Sequence, residues 1–226
     1  MITSTKATLP LAASVALLTF AWIEFAANFT FHWFTDGDLG IGLSLPGSFR
    51  LVIPAAFVSW AMFFAAGGDN AALRKTAIAT VAGGLGGLVL MFLVPRTADL
   101  SDFWAIAMWA AFVAFAVVLG SILGDWYFVP GIVVAFASVP FWWMATGMDG
   151  WSPDGGGIGN SLSALGDSAT AGTGAFGGVI STPFAWVFVN ATVSMLAGCG
   201  LGIASVRLAS AFTPKPYVVV DHDATV

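Results

Sequence analysis

Six long apolar runs dominate this chain, at about residues 10–31, 51–66, 76–94, 103–123, 127–146 and 178–211. They leave it one broad option, a bundle of membrane-crossing helices, because a helix needs about 20 apolar residues to cross the hydrocarbon core of a bilayer. Only 8% of the 226 residues are charged, where a soluble domain carries about a quarter. So few charges cannot cover a water-facing surface, and a lipid bilayer is the expected surrounding. The 27 glycines and 10 tryptophans agree: small residues let membrane helices approach closely, and tryptophan favours the two interfaces. The expected fold is all-α, a polytopic integral membrane protein with six transmembrane helices. One transmembrane domain covers residues 1–212 and a polar tail covers 213–226. The first run is longer than the roughly 7–15 apolar residues of a signal peptide and is read as a span. The last exceeds one crossing, so its first residues are open to a re-entrant or surface reading.

The connections carry further information. Gly67-Gly68-Asp69-Asn70 is a turn signal, followed by Arg74-Lys75. Gly124-Asp125-Trp126 is so short that the fourth and fifth spans should form an antiparallel hairpin. A glycine-rich segment at about 148–178 separates the fifth and sixth spans. It reads either as a surface loop or as a lid or pore-lining segment, since long loops are often functional. With the N-terminus cytoplasmic, Lys6, Arg74, Lys75, Arg207 and Lys215 fall inside and only Arg50 and Arg96 outside. Basic residues favour the cytoplasmic side, so both termini are expected there. That orientation puts Asp36, Asp38, Asp99, Asp102, Asp149, Asp154 and Asp167 on an acidic outer face.

Several chemistries are disfavoured by composition. The single cysteine, Cys199, precludes an intrachain disulfide. The two histidines, His32 and His222, lie far apart, one near a span end and one in the tail. No cluster of His, Cys and carboxylates has metal-ligand spacing. Lys6, Lys75 and Lys215 lie at or beyond span ends, where none suits a retinal-type Schiff base. Gly120 to Asp125 ends in the Gly-Asp that intramembrane aspartyl proteases use, but the second intramembrane aspartate is missing. A net charge of -5 with few basic residues argues against nucleic acid. The chain is therefore expected to be neither an enzyme nor a cofactor carrier.

The second and fifth spans open alike: Ile53-Pro54-Ala55-Ala56-Phe57-Val58-Ser59-Trp60 and Val129-Pro130-Gly131-Ile132-Val133-Val134-Ala135-Phe136. The third carries Thr80-Val81 before its glycines and the sixth carries Thr192-Val193 before its own. A duplication would give a 3+3 inverted repeat, because an odd number of spans per half reverses the second half. Such repeats are a common transporter design with the solute path between the halves. Chance similarity between apolar helices is the competing reading. Pro54 and Pro130 also fit the first helical turn, where proline is well tolerated.

Glu24 is the clearest candidate for a working group, since ionisable side chains in a bilayer are costly and usually face a cavity or partner. It lies about 21 Å along a helix from Pro10, in the outer half of the bilayer. Glu24, Asn28 and His32 recur every fourth residue and share one helix face. They read as a polar stripe lining an outer vestibule, or as a Glu24 that bonds helices together. A metal shared by Glu24 and His32 is disfavoured, because two helical turns separate them by about 12 Å. In the sixth span Asn190, Thr192 and Ser194 line the same passage or hydrogen-bond across helices. Gly83, Gly84 and Gly87 in the third span, and Gly198 and Gly202 in the sixth, are expected to pack helices or copies of the chain closely. Trp142-Trp143, Trp104, Trp109 and Trp126-Tyr127 are expected at the interfaces.

The stretch from Ile53 through Phe57-Val58-Ser59-Trp60-Ala61 to Gly67-Gly68 resembles the signature of the YcdZ-like bacterial inner-membrane family, a group of unknown function. Leu73-Arg74-Lys75, the glycines of Val81 to Gly87 and Phe128-Val129-Pro130-Gly131 are similar to later steps of that pattern. The likeness covers roughly residues 50–147, and the long segment after Asp149 departs from the compact family pattern. It implies a polytopic protein of the bacterial cytoplasmic membrane and carries over no functional residue. The expected function is a channel or transporter for a small neutral or cationic solute, lined by Glu24, Asn28 and Asn190. The acidic outer face argues against an anion. The rival is an accessory or assembly subunit of a larger membrane complex. A homo-oligomer packed through the glycine faces is the expected assembly.

Overall fold

The computed structural model describes residues 2–30, 49–97, 100, 104–146 and 183–213, with side chains from Thr8 onward. His32, His222, the seven outer aspartates, Lys215 and the 148–178 segment lie outside the described residues. Among the described residues the chain is all-helical, without a strand. The helices are α1 (Ile2–Asn28), α2 (Ile53–Ala65), α3 (Asn70–Leu93), α4 (Trp104–Leu119), α5 (Val129–Ala145) and α6 (Phe184–Phe212). Tight 3₁₀ turns extend α3 through Val94–Thr97 and α4 through Gly120–Leu123.

Among the described residues four helical stretches are long and apolar enough to cross a membrane: Thr8–Asn28, Asn70–Thr97, Trp104–Leu123 and Phe184–Phe212. α2 and α5 are apolar but have only 13 and 17 residues. At 1.5 Å per residue they reach about 20 and 26 Å, short of a hydrocarbon core about 30 Å thick. The sequence expectation of a helix from residue 51 therefore needs correction. Residues 49–52 are non-helical, and α2 starts at Ile53 with Pro54 at its first turn. Proline fixes the helix start and lacks the N–H that would go unpaired there. Pro130 does the same for α5.

The Gly67-Gly68-Asp69 signal works as expected. Gly67 and Gly68 take φ of 118° and 71°, a left-handed region that glycine enters without steric cost. Gly68 N–H closes on Phe63 O at 3.0 Å. Asp69 then caps α3, its carboxylate accepting from Ala72 N–H at 2.7 Å, which satisfies one of the orphan donors of the helix start.

α3 and α6 form the centre. The most extensive helix pairs are α3 with α5 and α2 with α6, followed by α3 with α6. α1 packs mainly on α6, and α4 lies outermost against α3 and α5. α4 buries Ala105, Val113 and Val117 while exposing Phe112, Phe115, Val118 and Ile122. A helix apolar all round suits lipid on its outer face.

Tryptophan placement departs from expectation at one pair. Trp104 and Trp126 are exposed near helix ends, but Trp142 and Trp143 are buried, Trp143 to 1% exposure. The pair joins a core cluster with Leu90, Met91, Val139, Val187 and Met195. Local sequence placed it near a span end, but the packing of α5 onto the α3–α6 centre turns it inward.

Candidate functional site

Close approach of helix backbones at the bundle centre defines the site. A Cβ on Gly198 would collide with the Ala56 carbonyl and Ser59 Oγ, and a Cβ on Gly202 would lie 2.6 Å from the Phe63 ring. A Cβ on Gly83 would collide with the Ile132 carbonyl and sit 2.7 Å from Ala135 Cβ; one on Gly87 would sit 2.7 Å from Val139 Cβ. α2 thus runs beside α6 in the same direction, and α5 beside α3. Gly84 makes room for Thr192, whose Oγ1 would lie 2.6 Å from an added Cβ. Thr80 and Cys199, 3.9 Å apart across α3 and α6, are in hydrogen-bond contact. All five candidate packing glycines are therefore engaged within one chain.

Where α2, α3, α5 and α6 meet, a cavity of about 10 Å³ is bounded by Ser59, Thr76, Thr80, Gly131 and Met195, among others. That is roughly the space one water needs. Ser59 Oγ donates toward the Ala56 and Met195 carbonyls. Thr76 is 1% exposed, and its Oγ1 has no hydrogen-bond partner. A buried hydroxyl left unpaired costs about 1–3 kcal/mol, so it is a ready donor or acceptor for whatever enters. Thr76 and Thr80 lie one turn apart on the face of α3 that also carries Gly83 and Gly87. That spacing is visible in the sequence, but only the crossing helices show that the hydroxyls converge with Ser59.

A second polar cluster holds the non-helical segment before α2. Asn190, 0% exposed, accepts from Arg50 N–H at 3.0 Å. Ser194 Oγ accepts from Val52 N–H at 2.8 Å. Thr30 Oγ1 accepts from Leu51 N–H at 3.1 Å and donates to Leu51 O at 3.2 Å. Trp22 Nε1 donates to Ile53 O at 3.1 Å. Non-helical backbone has no helical partners for its polar groups, and these side chains supply partners.

The sequence candidates do not gather in one place. Asn28 Nδ2 donates to Glu24 Oε1 at 2.9 Å and to the Glu24 carbonyl at 2.9 Å. Glu24 itself is exposed on the flank of α1, beside exposed Ile23 and Phe25. Asn190 grips the segment before α2, whereas Thr192 faces α3 and its buried Oγ1 has no partner. His32 lies outside the described residues. Among the described residues no three His, Cys, Asp or Glu side chains gather as a metal site.

No protein-family model, curated protein or solved structure matches the chain. The YcdZ-like resemblance stands on its sequence motifs alone.

Proposed function

We propose that the chain is a six-span membrane protein built as a 3+3 inverted repeat, and that it forms a path for a small uncharged solute between its two halves. The matched glycine contacts carry this reading. With Pro54 set over Pro130, Ala56 falls on Ile132, Ser59 on Ala135 and Phe63 on Val139. Those are the residues that Gly198 and Gly202, and Gly83 and Gly87, respectively press against. Exchanging the halves turns one contact into the other. The contact equivalence sets Thr80 over Met195, not over Thr192, so the Thr-Val pairs noted in the sequence are out of register. α3 and α6 run antiparallel, as Thr80–Cys199 and Gly84–Thr192 require, and as two halves of opposite orientation demand.

Inverted repeats carry their solute path at the interface of the halves, where the Ser59–Thr76–Thr80 cavity lies. Among the described residues no charged side chain lines that cavity, which favours a neutral solute over a cation. Bacterial inner-membrane location follows from the YcdZ-like resemblance, and cytoplasmic termini from the basic-residue bias.

Cysteine labelling in a Cys199→Ser background tests the topology. Arg50→Cys and Leu100→Cys are expected to react from outside, and Arg74→Cys and Asp125→Cys only after permeabilisation. Arg50 and Arg74 on one face would remove α2 as a crossing.

An unbiased uptake screen in proteoliposomes tests transport. The wild type is expected to take up a small neutral solute, and Thr76→Leu, which fills the cavity, to slow uptake by about tenfold or more, some 1.4 kcal/mol of barrier. Glu24→Gln is expected to leave uptake unchanged, because Glu24 sits on the outer flank of α1. No uptake of any solute by folded protein would sink the reading.

The exposed Glu24–Asn28 pair favours one second reading, an accessory subunit. A carboxylate on the flank of a membrane helix gains from a protein partner. Purification that is stable only alongside a second protein would select it.

A further inference from the structure

A larger groove lies between α2 and α5, with a volume of about 440 Å³. Val52, Pro54 and Ala55 line it on one side and Val133, Ala137 and Phe141 on the other. Behind it is the small hydroxyl-lined cavity of Ser59, Thr76 and Thr80. Val58 and Val134 line both spaces. They also superpose when Pro54 is set over Pro130, so the proposed symmetry axis passes between them. The groove offers an apolar wall for a hydrocarbon body. The cavity offers Thr76 Oγ1, buried and without a partner. Among the described residues neither space has a charged lining residue.

We propose that groove and cavity form one binding site for a small uncharged amphiphile carrying a single hydroxyl or carbonyl group, entered from the lipid side between Val58 and Val134. The apolar body lies in the groove and the polar group reaches Thr76. The inference rests on the reading of α2 and α5 as membrane spans, and it specifies the solute of the proposed path. The two valines act as the partition, because their side chains are the shared wall, and a charged head group would lose its hydration there without compensation.

Cys199 reports on this entry. It is the only cysteine in the chain, 2% exposed, and touches Thr80 on the cavity wall. The full chain in liposomes is treated with N-ethylmaleimide, which is uncharged and lipid-soluble, or with a charged sulfonate methanethiosulfonate. The uncharged reagent is expected to alkylate Cys199 in the wild type, and about tenfold faster in Val58→Ala/Val134→Ala, a barrier change of about 1.4 kcal/mol. Val134→Phe, which narrows the passage, is expected to slow it, and 1-hexanol to compete with it in the wild type. The charged reagent is expected to react slowly throughout. Equal rates for the two reagents would overturn the lipid-side entry. An unchanged N-ethylmaleimide rate in a folded double variant would overturn the valine partition. Should the double variant not fold, thermal unfolding of the unmodified protein decides: stabilisation by 1-hexanol but not by hexane supports the site, and equal effects overturn it. Because none of these readouts is uptake, valine-dependent labelling without transport of any solute would remove the transport reading and keep the site.

Discussion

Gly198→Ala is expected to be the most damaging single-methyl change in this chain. The new Cβ would be driven into the Ala56 carbonyl and Ser59 Oγ on α2. Backbone cannot move aside as a flexible side chain can, so α2 and α6 must separate along their whole contact. Overpacking costs about 1–3 kcal/mol where side chains yield, and a clash with backbone belongs at or above the top of that range. Gly200→Ala provides the control two residues away. Nothing lies within 4 Å of its added Cβ, and glycine in a helix interior is worse than alanine by about 0.5–1 kcal/mol. Thermal unfolding in detergent is therefore expected to show a large drop for Gly198→Ala and no drop, or a small rise, for Gly200→Ala. Similar melting for the two variants would refute the close α2–α6 crossing. Gly83→Ala should behave like Gly198→Ala, since its Cβ would strike the Ile132 carbonyl on α5.

The second large effect is expected where side chains hold the segment before α2. Asn190→Leu removes the acceptor for Arg50 N–H, and Ser194→Ala removes the acceptor for Val52 N–H. Each leaves a backbone donor unpaired, at about 1–3 kcal/mol. The two sites are linked, because Ser194 Oγ also donates to the Asn190 carbonyl at 2.7 Å. Their effects should therefore not add, as is usual for residues of one network. Hydrogen exchange is the direct measurement. The Arg50 and Val52 amides are expected to exchange at least about tenfold faster in Asn190→Leu/Ser194→Ala, the equivalent of about 1.4 kcal/mol of opening free energy. The amides around Gly198 should stay protected. Unchanged protection at Arg50 and Val52 would mean that these side chains do not hold the segment.

Glu24 and Thr76 show what was and was not legible in the sequence site. Glu24 stood out because charge inside an apolar run is rare, but rarity does not say which way a side chain points. It is exposed and bonds to Asn28 on its own helix. Thr76 was inconspicuous, since a threonine in a membrane helix is common and its hydroxyl can bond within its own helix. Its importance comes from burial without a partner beside Ser59 and Thr80, a property of four helices together.

By itself the sequence determined the helical class, the apolar surface and several helix boundaries. Local physics is enough for these: apolar length demands lipid or burial, Pro54 and Pro130 suit the first turn of a helix, and Gly67-Gly68-Asp69 favours a turn and a cap. It also marked Gly83, Gly87, Gly198 and Gly202 as points of close approach, because glycine lets membrane helices touch. Only the tertiary structure decided what each glycine approaches. Small and hydroxyl residues mark the buried side of α3 and α6, but they do not say which helix packs there, and partner choice falls to shape. The fit of Gly198 to Ala56 and of Gly83 to Ile132 sets the crossing of the four central helices. The same fit turns Trp143 inward and brings Ser59, Thr76 and Thr80 around one cavity.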